Sequence, residues 1–580
     1  MTDQPRRCSL GHEGTAEARL EASSVPTPKV VREAQVEMDH LIASLSEEDT
    51  EDHTVVEAKD SRPVYLMISS KRALMRKYGP LGFERLDTDL KDLKRAIEER
   101  ADLRTLIAYV DDKTSLSGYG VGPVEPTDPG QIKELVDEFD TKLARQGREI
   151  RYLLIVGGDG VIPFHRLPNS VGDQDADVLS DNPYGCRDAN YLVPERAIGR
   201  MPDGEKDGLG FLHTLIHTAT TGHRSRTTSK GLLSALSSAF RPLKDVQKNG
   251  HGLGYSASIW RKASRAVFRV IGNDGQLRTC PPLTYEGFKI ANRPHFSYFN
   301  LHGIEDGPNW YGQRDALFPA EYPLFPLALR PADLRVSEHA GSVVFTEACY
   351  GANIIDKSSD DSIALRLLTS RALAVVGSTK VSYGSIAPPL LGADLIGKYF
   401  WEGLRAHLTA GAALKHAKLS LAREMQERQG YLDGEDQKAL TSFVLYGDPS
   451  LPITHIQGEA PATVCSTGFC PPVICNRETA RQKEMVSDDL VASVKGQIET
   501  SLPHMSHARL RAKRLAFCHG GCEGRCGLLG QRAKGMDKRP GGWAFTLEKH
   551  IPVEGDREHC QVVKLTVDES GHILKMAVSK

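Results

Sequence analysis

Tyr152-Leu153-Leu154-Ile155-Val156 is an unbroken apolar run of strand length, closed by Gly157-Gly158-Asp159-Gly160. No polar residue alternates within it, so both of its faces need cover, as in the inner strands of a parallel sheet. Two upstream runs, Val64-Tyr65-Leu66-Met67-Ile68 and Leu106-Ile107-Ala108-Tyr109-Val110, are of the same kind. Between these two lies a helical stretch carrying Leu90, Leu93 and Ile97. Before the third run, Asp128-Pro129 provides a cap with proline at the first helical position, and Ile132, Leu135, Val136, Phe139 and Leu143 mark one helix face. Strand, helix, strand, helix, strand predicts an α/β fold with a parallel sheet covered by helices.

The alternation resumes after about residue 210. Residues 295–301, 342–345 and 372–376 read as strands, and 391–404 and 412–425 as helices, while 232–240 fits either. This divides the chain into a flexible arm (1–60), a first α/β subdomain (61–210) and a catalytic subdomain (211–456). An irregular Cys/Gly-rich region (457–540) and a small antiparallel β unit (541–580) follow. The arm is rich in acidic and small polar residues, with an acidic run at 46–52 and one short amphipathic stretch at 31–45. In the last unit, Glu569-Ser570-Gly571 turns between runs at 562–567 and 573–578. The basic stretch from Arg509 to Arg514 reads as a solvated helix face. Because composition changes so sharply, everything beyond about 457 is expected to be dispensable for chemistry and to serve partner binding or regulation.

The 580 residues are 40% hydrophobic and 26% charged, as in ordinary globular protein. A formal charge of −2 offers no general attraction to nucleic acid or to an anionic membrane. No run of about 18 apolar residues is present to cross a bilayer, and the two arginines near the amino terminus have no apolar stretch behind them. Eleven cysteines, an odd number, do not form a disulfide framework. The expected location is therefore cytoplasmic, with each cysteine a thiol, a metal ligand or a nucleophile.

Thr346-Glu347-Ala348-Cys349-Tyr350-Gly351 directly follows the run at 342–345, so Cys349 stands at the carboxyl end of a buried strand. Open parallel sheets place their reactive groups there. His302-Gly303 ends another strand, and His302 lies 47 residues before Cys349. The caspase signature Gln-Ala-Cys-X-Gly has its histidine about 50 residues upstream; here Glu347 replaces the glutamine and the rest holds. The chemistry needs these groups: a thiolate attacks the peptide carbonyl, an imidazole protonates the departing amine, and fixed N–H donors hold the oxyanion. The backbone N–H groups of Gly303 and Cys349 are the expected donors.

Further elements extend this pattern. Residues 152–159 with Ile162-Pro163, then Ser180-Asp181, Tyr184-Gly185, Asp188 and Ile198-Gly199-Arg200, follow in order. His302-Gly303, Ala348-Cys349, Val375-Val376-Gly377-Ser378-Thr379 and the closing Tyr446-Gly447-Asp448-Pro449-Ser450-Leu451 complete the series. In this order, over about 63–455, the chain resembles the gingipain family of cysteine peptidases, of the caspase-like kind. The resemblance implies a caspase-like fold of two sheet-bearing subdomains and a cysteine-type endopeptidase working through a thioester, with Cys349 and His302 as its dyad and a protein or peptide as substrate. Neither secretion, nor calcium, nor trypsin-like specificity carries over, because no leader or immunoglobulin-like domain stands out and residues 241–294 diverge.

Rival readings remain. A catalytically idle caspase-like scaffold would bind partners through its tail. Gly157-Gly158-Asp159-Gly160 has a counterpart in lipid and NAD kinases, but Val161 stands where those enzymes carry threonine, and a tight strand-to-loop turn accounts for it. Cys465, Cys470, Cys475, Cys518, His519, Cys522 and Cys526 are spaced for a structural zinc or for free thiols. No cofactor is expected for the reaction itself, since a thiolate nucleophile needs no Lewis acid.

Overall fold

The computed structural model describes residues 60–227 except 188 and 190, 252–453 except 291, 292, 336 and 337, 486–515, and 542–580 except 555. The arm up to residue 59, with its amphipathic stretch, lies outside the described residues. So do residues 232–240 and the cysteines from 465 to 526.

The three apolar runs become β1 (Val64–Ser69), β2 (Arg104–Tyr109) and β3 (Ile150–Val156), paired in parallel in the order β2-β1-β3. Every residue of β1 is buried, as a run without polar alternation demands. Helix α1 (Lys71–Glu98) is capped by the Ser70 hydroxyl, which accepts the Ala73 N–H at 3.0 Å. Helix α2 (Pro129–Ala144) starts where Asp128-Pro129 predicts, with the Asp128 carboxylate accepting the N–H groups of Gly130 and Gln131. Its five marked residues, Ile132 to Leu143, are all buried.

The sheet continues through β4 (Ala197–Met201), then β5 (Gly252–Ala257), β6 (Leu277–Cys280), β7 (Phe296–Asn300), β8 (Val343–Thr346), β9 (Ala374–Ser378) and β11 (Phe443–Gly447). A two-residue strand, β10 (Tyr383–Gly384), lies outside it. Strand order is β2-β1-β3-β4-β11-β9-β8-β7-β5-β6, all in one sheet. The two sheet-bearing parts meet where β11 runs parallel to β4, Tyr446 opposite Arg200, and antiparallel to β9. Side chains alternate between two cores: Val344 joins one, Val343 and Phe345 the other. The turn at 157–160 is tight: Gly157 has φ +114°, and a Cβ there would lie 2.4 Å from Val161.

Arg200, fully buried beside the junction, ties β4 to the loops of the first part. Its Nε and Nη2 donate to the Asp181 carboxylate at 3.0 and 2.6 Å, and its Nη1 to the carbonyls of Gly157 and Ile162 at 2.9 and 2.7 Å. A lysine reaches only part of this fork. Arg200→Lys is expected to cost about 2 kcal/mol, read as a lower urea midpoint.

The tail departs most from expectation. Four strands, β12 (Arg509–Arg514), β13 (Trp543–Val553), β14 (Arg557–Val567) and β15 (Ile573–Ser579), form an antiparallel sheet with β10, in the order β10-β15-β14-β13-β12. The basic stretch is therefore a strand, not a helix face. Arg-Leu-Arg-Ala-Lys-Arg alternates with period two, Leu510 and Ala512 pack toward the tail core, and Arg511 pairs with Glu548 at 2.8 Å. The region expected to be irregular also contains a helix, α3 (Asp488–Ser501), capped by Ser487 and burying Val494 and Ile498 in that core. Nor is the tail set apart, because β15 pairs with β10 of the catalytic part and Ser61–Lys580 form one compact unit. Among the described residues, no helix is long and apolar enough to cross a membrane.

Candidate active site

Strands β7 and β8 are parallel neighbours, with Phe299 opposite Thr346. His302 and Cys349 each lie three residues further on, so the two leave the sheet at the same level. Gly303 fits tightly there: a Cβ on it would stand 1.9 Å from the Cys349 carbonyl oxygen. The His302 ring packs among Trp260, His559 and Phe325, with centroids at 4.3, 4.5 and 4.9 Å. Its Nε2 meets Gln313 Oε1 at 2.8 Å, while its Nδ1 is buried without a hydrogen-bond partner. The Cys349 Sγ accepts the Ser382 N–H at 3.2 Å. Burial pushes the Cys349 thiol up to about 12. Burial, then the neighbouring His559, holds His302 well below the usual imidazole range. Both groups are therefore neutral in this arrangement.

The side chain that seats itself against them is Lys580, itself fully buried. Its carbonyl oxygen accepts the Cys349 N–H at 3.2 Å, and its own N–H donates to the Ser382 carbonyl at 2.9 Å. The two residues before it continue as a strand, Ser579 opposite Tyr383 and Val578 opposite Gly384. The ammonium enters an acidic pocket, 3.1 Å from Asp394 Oδ1 and 3.4 Å from Glu347 Oε2, over the Trp260 ring at 4.4 Å. It also donates to the Ser385 carbonyl at 3.3 Å. The pocket is prebuilt: Asp394 accepts both the N–H and hydroxyl of Ser385, and Glu347 accepts the Tyr298 hydroxyl at 2.6 Å. Burial, then the neighbouring Asp394, pushes the Glu347 carboxyl well up. Gly384 forms a wall where a Cβ would strike Lys580 Cε at 2.2 Å.

The first half of the chain holds this edge in place. Asp175 accepts the Tyr350 hydroxyl at 2.7 Å and the Val381 N–H at 2.9 Å, and Asp173 accepts the Tyr383 hydroxyl at 2.6 Å. Lys438 balances both acids at 2.5 to 2.8 Å. The tail supports the histidine: Gln561 and His504 both bond Gln313, at 3.3 and 3.2 Å. Of the sequence-derived residues, the structure brings together His302, Gly303 and Cys349. Sequence reasoning missed Asp394, Ser382, Trp260, Gln313, His559 and Lys580, and took Glu347 only as a departure from a motif. One signal was available for Asp394, an acid in the first turn of a strongly apolar helix, Gly392–Arg405.

Beside Cys349 a cavity of about 370 Å³ remains open, lined by Gly303, Glu305, Tyr350, His550, His559 and Cys560 among others. Glu548, His550 and Cys560, on adjacent strands β13 and β14, have donor atoms within 4.8 Å of one another and are the described residues best placed to hold a metal ion. The zinc expectation itself concerns residues outside those described.

The mostly parallel α/β sheet places Cys349 and His302 beyond the ends of adjoining strands. Residues 59–207 and 332–454 match the model of peptidase family C25. Over these two segments the chain is similar to family C25, the gingipain family, which supports a cysteine peptidase, a hydrolase. The match contains Glu347, Cys349 and Asp394, whereas His302 and Gly303 fall between its two segments. Among solved structures, the chain is similar to one described as a protease, at 12% identity over 89% of this chain and 91% of that one, with a TM-score of 0.44. It is also similar to the Arg-specific cysteine proteinase gingipain R, at 14% identity over 90% and 92%, with a TM-score of 0.44. No curated protein matches.

Proposed function

We propose that the protein is an endopeptidase that cleaves after lysine, with Cys349 as nucleophile, His302 as proton carrier and the Cys349 N–H as an oxyanion donor. The observation that carries this reading is the seat of Lys580. A residue before a scissile bond needs its carbonyl at a donor beside the nucleophile, its N–H on a fixed acceptor and its side chain in a complementary pocket. Lys580 meets all three conditions, with Cys349, Ser382 and the Asp394–Glu347 pocket as its partners. The cavity beside Cys349 gives room for residues beyond the cut.

In the reaction, Sγ forms a bond to the carbonyl carbon as its proton passes to His302. The tetrahedral oxyanion collapses to a thioester as the C–N bond breaks, and the imidazolium returns the proton to the leaving amine. Water then hydrolyses the thioester by the reverse relay. Glu347, where the caspase pattern has glutamine, and Asp394 would set the preference for a cation.

The test is a library of peptides varied at every position, with products mapped by mass spectrometry. Cuts should fall on the carboxyl side of lysine and disappear in the Cys349→Ala protein. Cuts spread over neutral residues, or cuts that persist in that variant, would refute the reading. In a chain whose Lys580 is replaced by alanine, so that the pocket is empty, Asp394→Asn should lower kcat/KM on lysyl peptides by about 100-fold, because the entering ammonium loses a buried counter-charge.

A further inference from the structure

We propose that residues 578–580 are a ligand of the chain's own active site, holding the enzyme latent until they leave. This regulation rests on the reading of Cys349 and its acidic pocket as a peptidase site.

The argument starts from the cost of burying Lys580. A lysine is almost never fully buried unless it is paired, and burial of an ammonium is unfavourable unless the site is built for it. This site is so built, from Asp394, Glu347, the Ser385 carbonyl and the Trp260 face. The tail sheet does not need the residue, since the pairing of β15 with β14 ends at Val578. From there the backbone turns its hydrogen bonds to the catalytic part: Ser579 is opposite Tyr383, and Lys580 bonds Ser382 and Cys349.

A peptide substrate would need those same groups, the Ser382 carbonyl, the Cys349 N–H and the acidic pocket. Val578, Ser579 and Lys580 leave none of them free, and all three residues are buried. Two peptides cannot occupy one such edge, so binding of substrate and seating of Lys580 exclude each other. Cys349 itself is only 3% exposed with the strand in place. Its thiol is neutral there, as expected for a resting form. Apparent affinity for any substrate then falls by the fraction of molecules in which the strand has left.

The experiment uses the full chain with Lys580→Glu, which puts a carboxylate against Asp394 and Glu347, and with Lys580→Ala as a milder change. Two rates are measured: alkylation of Cys349 by iodoacetamide, followed by mass spectrometry, and hydrolysis of a lysyl amide peptide. Both variants should alkylate and hydrolyse about tenfold faster or more. The free octapeptide Ile-Leu-Lys-Met-Ala-Val-Ser-Lys, added to either variant, should slow both rates again. A purely structural role for Lys580 would not give that reversal. Folded variants whose alkylation is no faster than wild type, or is untouched by the octapeptide, overturn the proposal. Fast alkylation without hydrolysis of any peptide would uphold the seating and defeat the peptidase reading. Equal hydrolysis by wild type and variants would do the opposite.

Discussion

Cys349→Ala is expected to lower kcat/KM by about 10⁴-fold or more, to the level left by binding and the oxyanion donors alone. The thiol beside the Lys580 carbonyl is the group that would form the acyl-enzyme; Ser382 bonds Sγ and Lys580 through its backbone N–H and carbonyl. His302→Ala should lose about 10²- to 10⁴-fold on a peptide. It should lose less on an activated ester, whose leaving group does not need a proton. Cys186→Ala, which removes a buried thiol outside the cleft, serves as the control and should keep nearly full turnover. Steady-state kinetics on proteins shown folded by circular dichroism decide the matter. A folded Cys349→Ala protein that still turns over the lysyl substrate would end the mechanism. So would a His302→Ala protein of undiminished activity on peptides, since the proton would then travel elsewhere.

The parts of this molecule that were legible in sequence are those where local chemistry and global position coincide. β1 and β3 could be read because their cores, 64–68 and 152–156, carry no polar residue, although β3 starts earlier, at Ile150 and the exposed Arg151. Helix α2 announced its start through Asp128-Pro129 and its buried face through five residues at helical spacing. Cys349 and His302 could be singled out because each lies two or three residues beyond a buried strand, and β7 and β8 are paired in register. The acidic pocket is another matter. Asp394 and Lys580 come together across 186 residues of chain, through a helix start and a sheet edge that no local pattern connects.

The tail was read only in part: the antiparallel pair on either side of Glu569-Ser570-Gly571 is as expected, but its attachment was not foreseen, for a related reason. Its composition suggested a separate piece, yet composition reports surface and solvation, not which edge a strand will pair with. Two residues, Tyr383 and Gly384, are enough to weld β15 to the catalytic part, and they are too few to read as a strand. The basic stretch at 509–514 shows the same limit. Six residues of mostly positive charge look solvated, but their period of two becomes decisive once Glu548 is opposite. The match to family C25 has a gap over the same kind of material, leaving out His302 and its surroundings.

Lys575→Met is expected to destabilise the protein by about 3–5 kcal/mol at neutral pH, the usual cost of removing one partner from a buried ion pair. Lys575 lies on β15, five residues before Lys580, and its Nζ meets Asp433 at 2.7 Å and Asp436 at 2.8 Å. All three side chains are buried, so the two carboxylates cannot turn to water when the ammonium goes. Their environments differ. Burial raises the Asp433 carboxyl, but Lys575 and the bonds around it outweigh that and hold it well below the carboxylate range. Burial, then the charge of Asp433, pushes Asp436 well above its ordinary value. The sign of the pH effect follows from the first of these. A carboxyl depressed in the folded state contributes stability above its unfolded value, near 3.9, and that contribution fades as pH falls through the folded value. In Lys575→Met the depression is gone, and both acids take up protons at higher pH than in the wild type. Protonation relieves their repulsion, so the difference from wild type should be largest near pH 7 and shrink as pH falls toward 4. Urea midpoints measured across that range provide the check. A loss under about 1 kcal/mol, or one independent of pH, would show that the strand carrying Lys580 is not held by this pair.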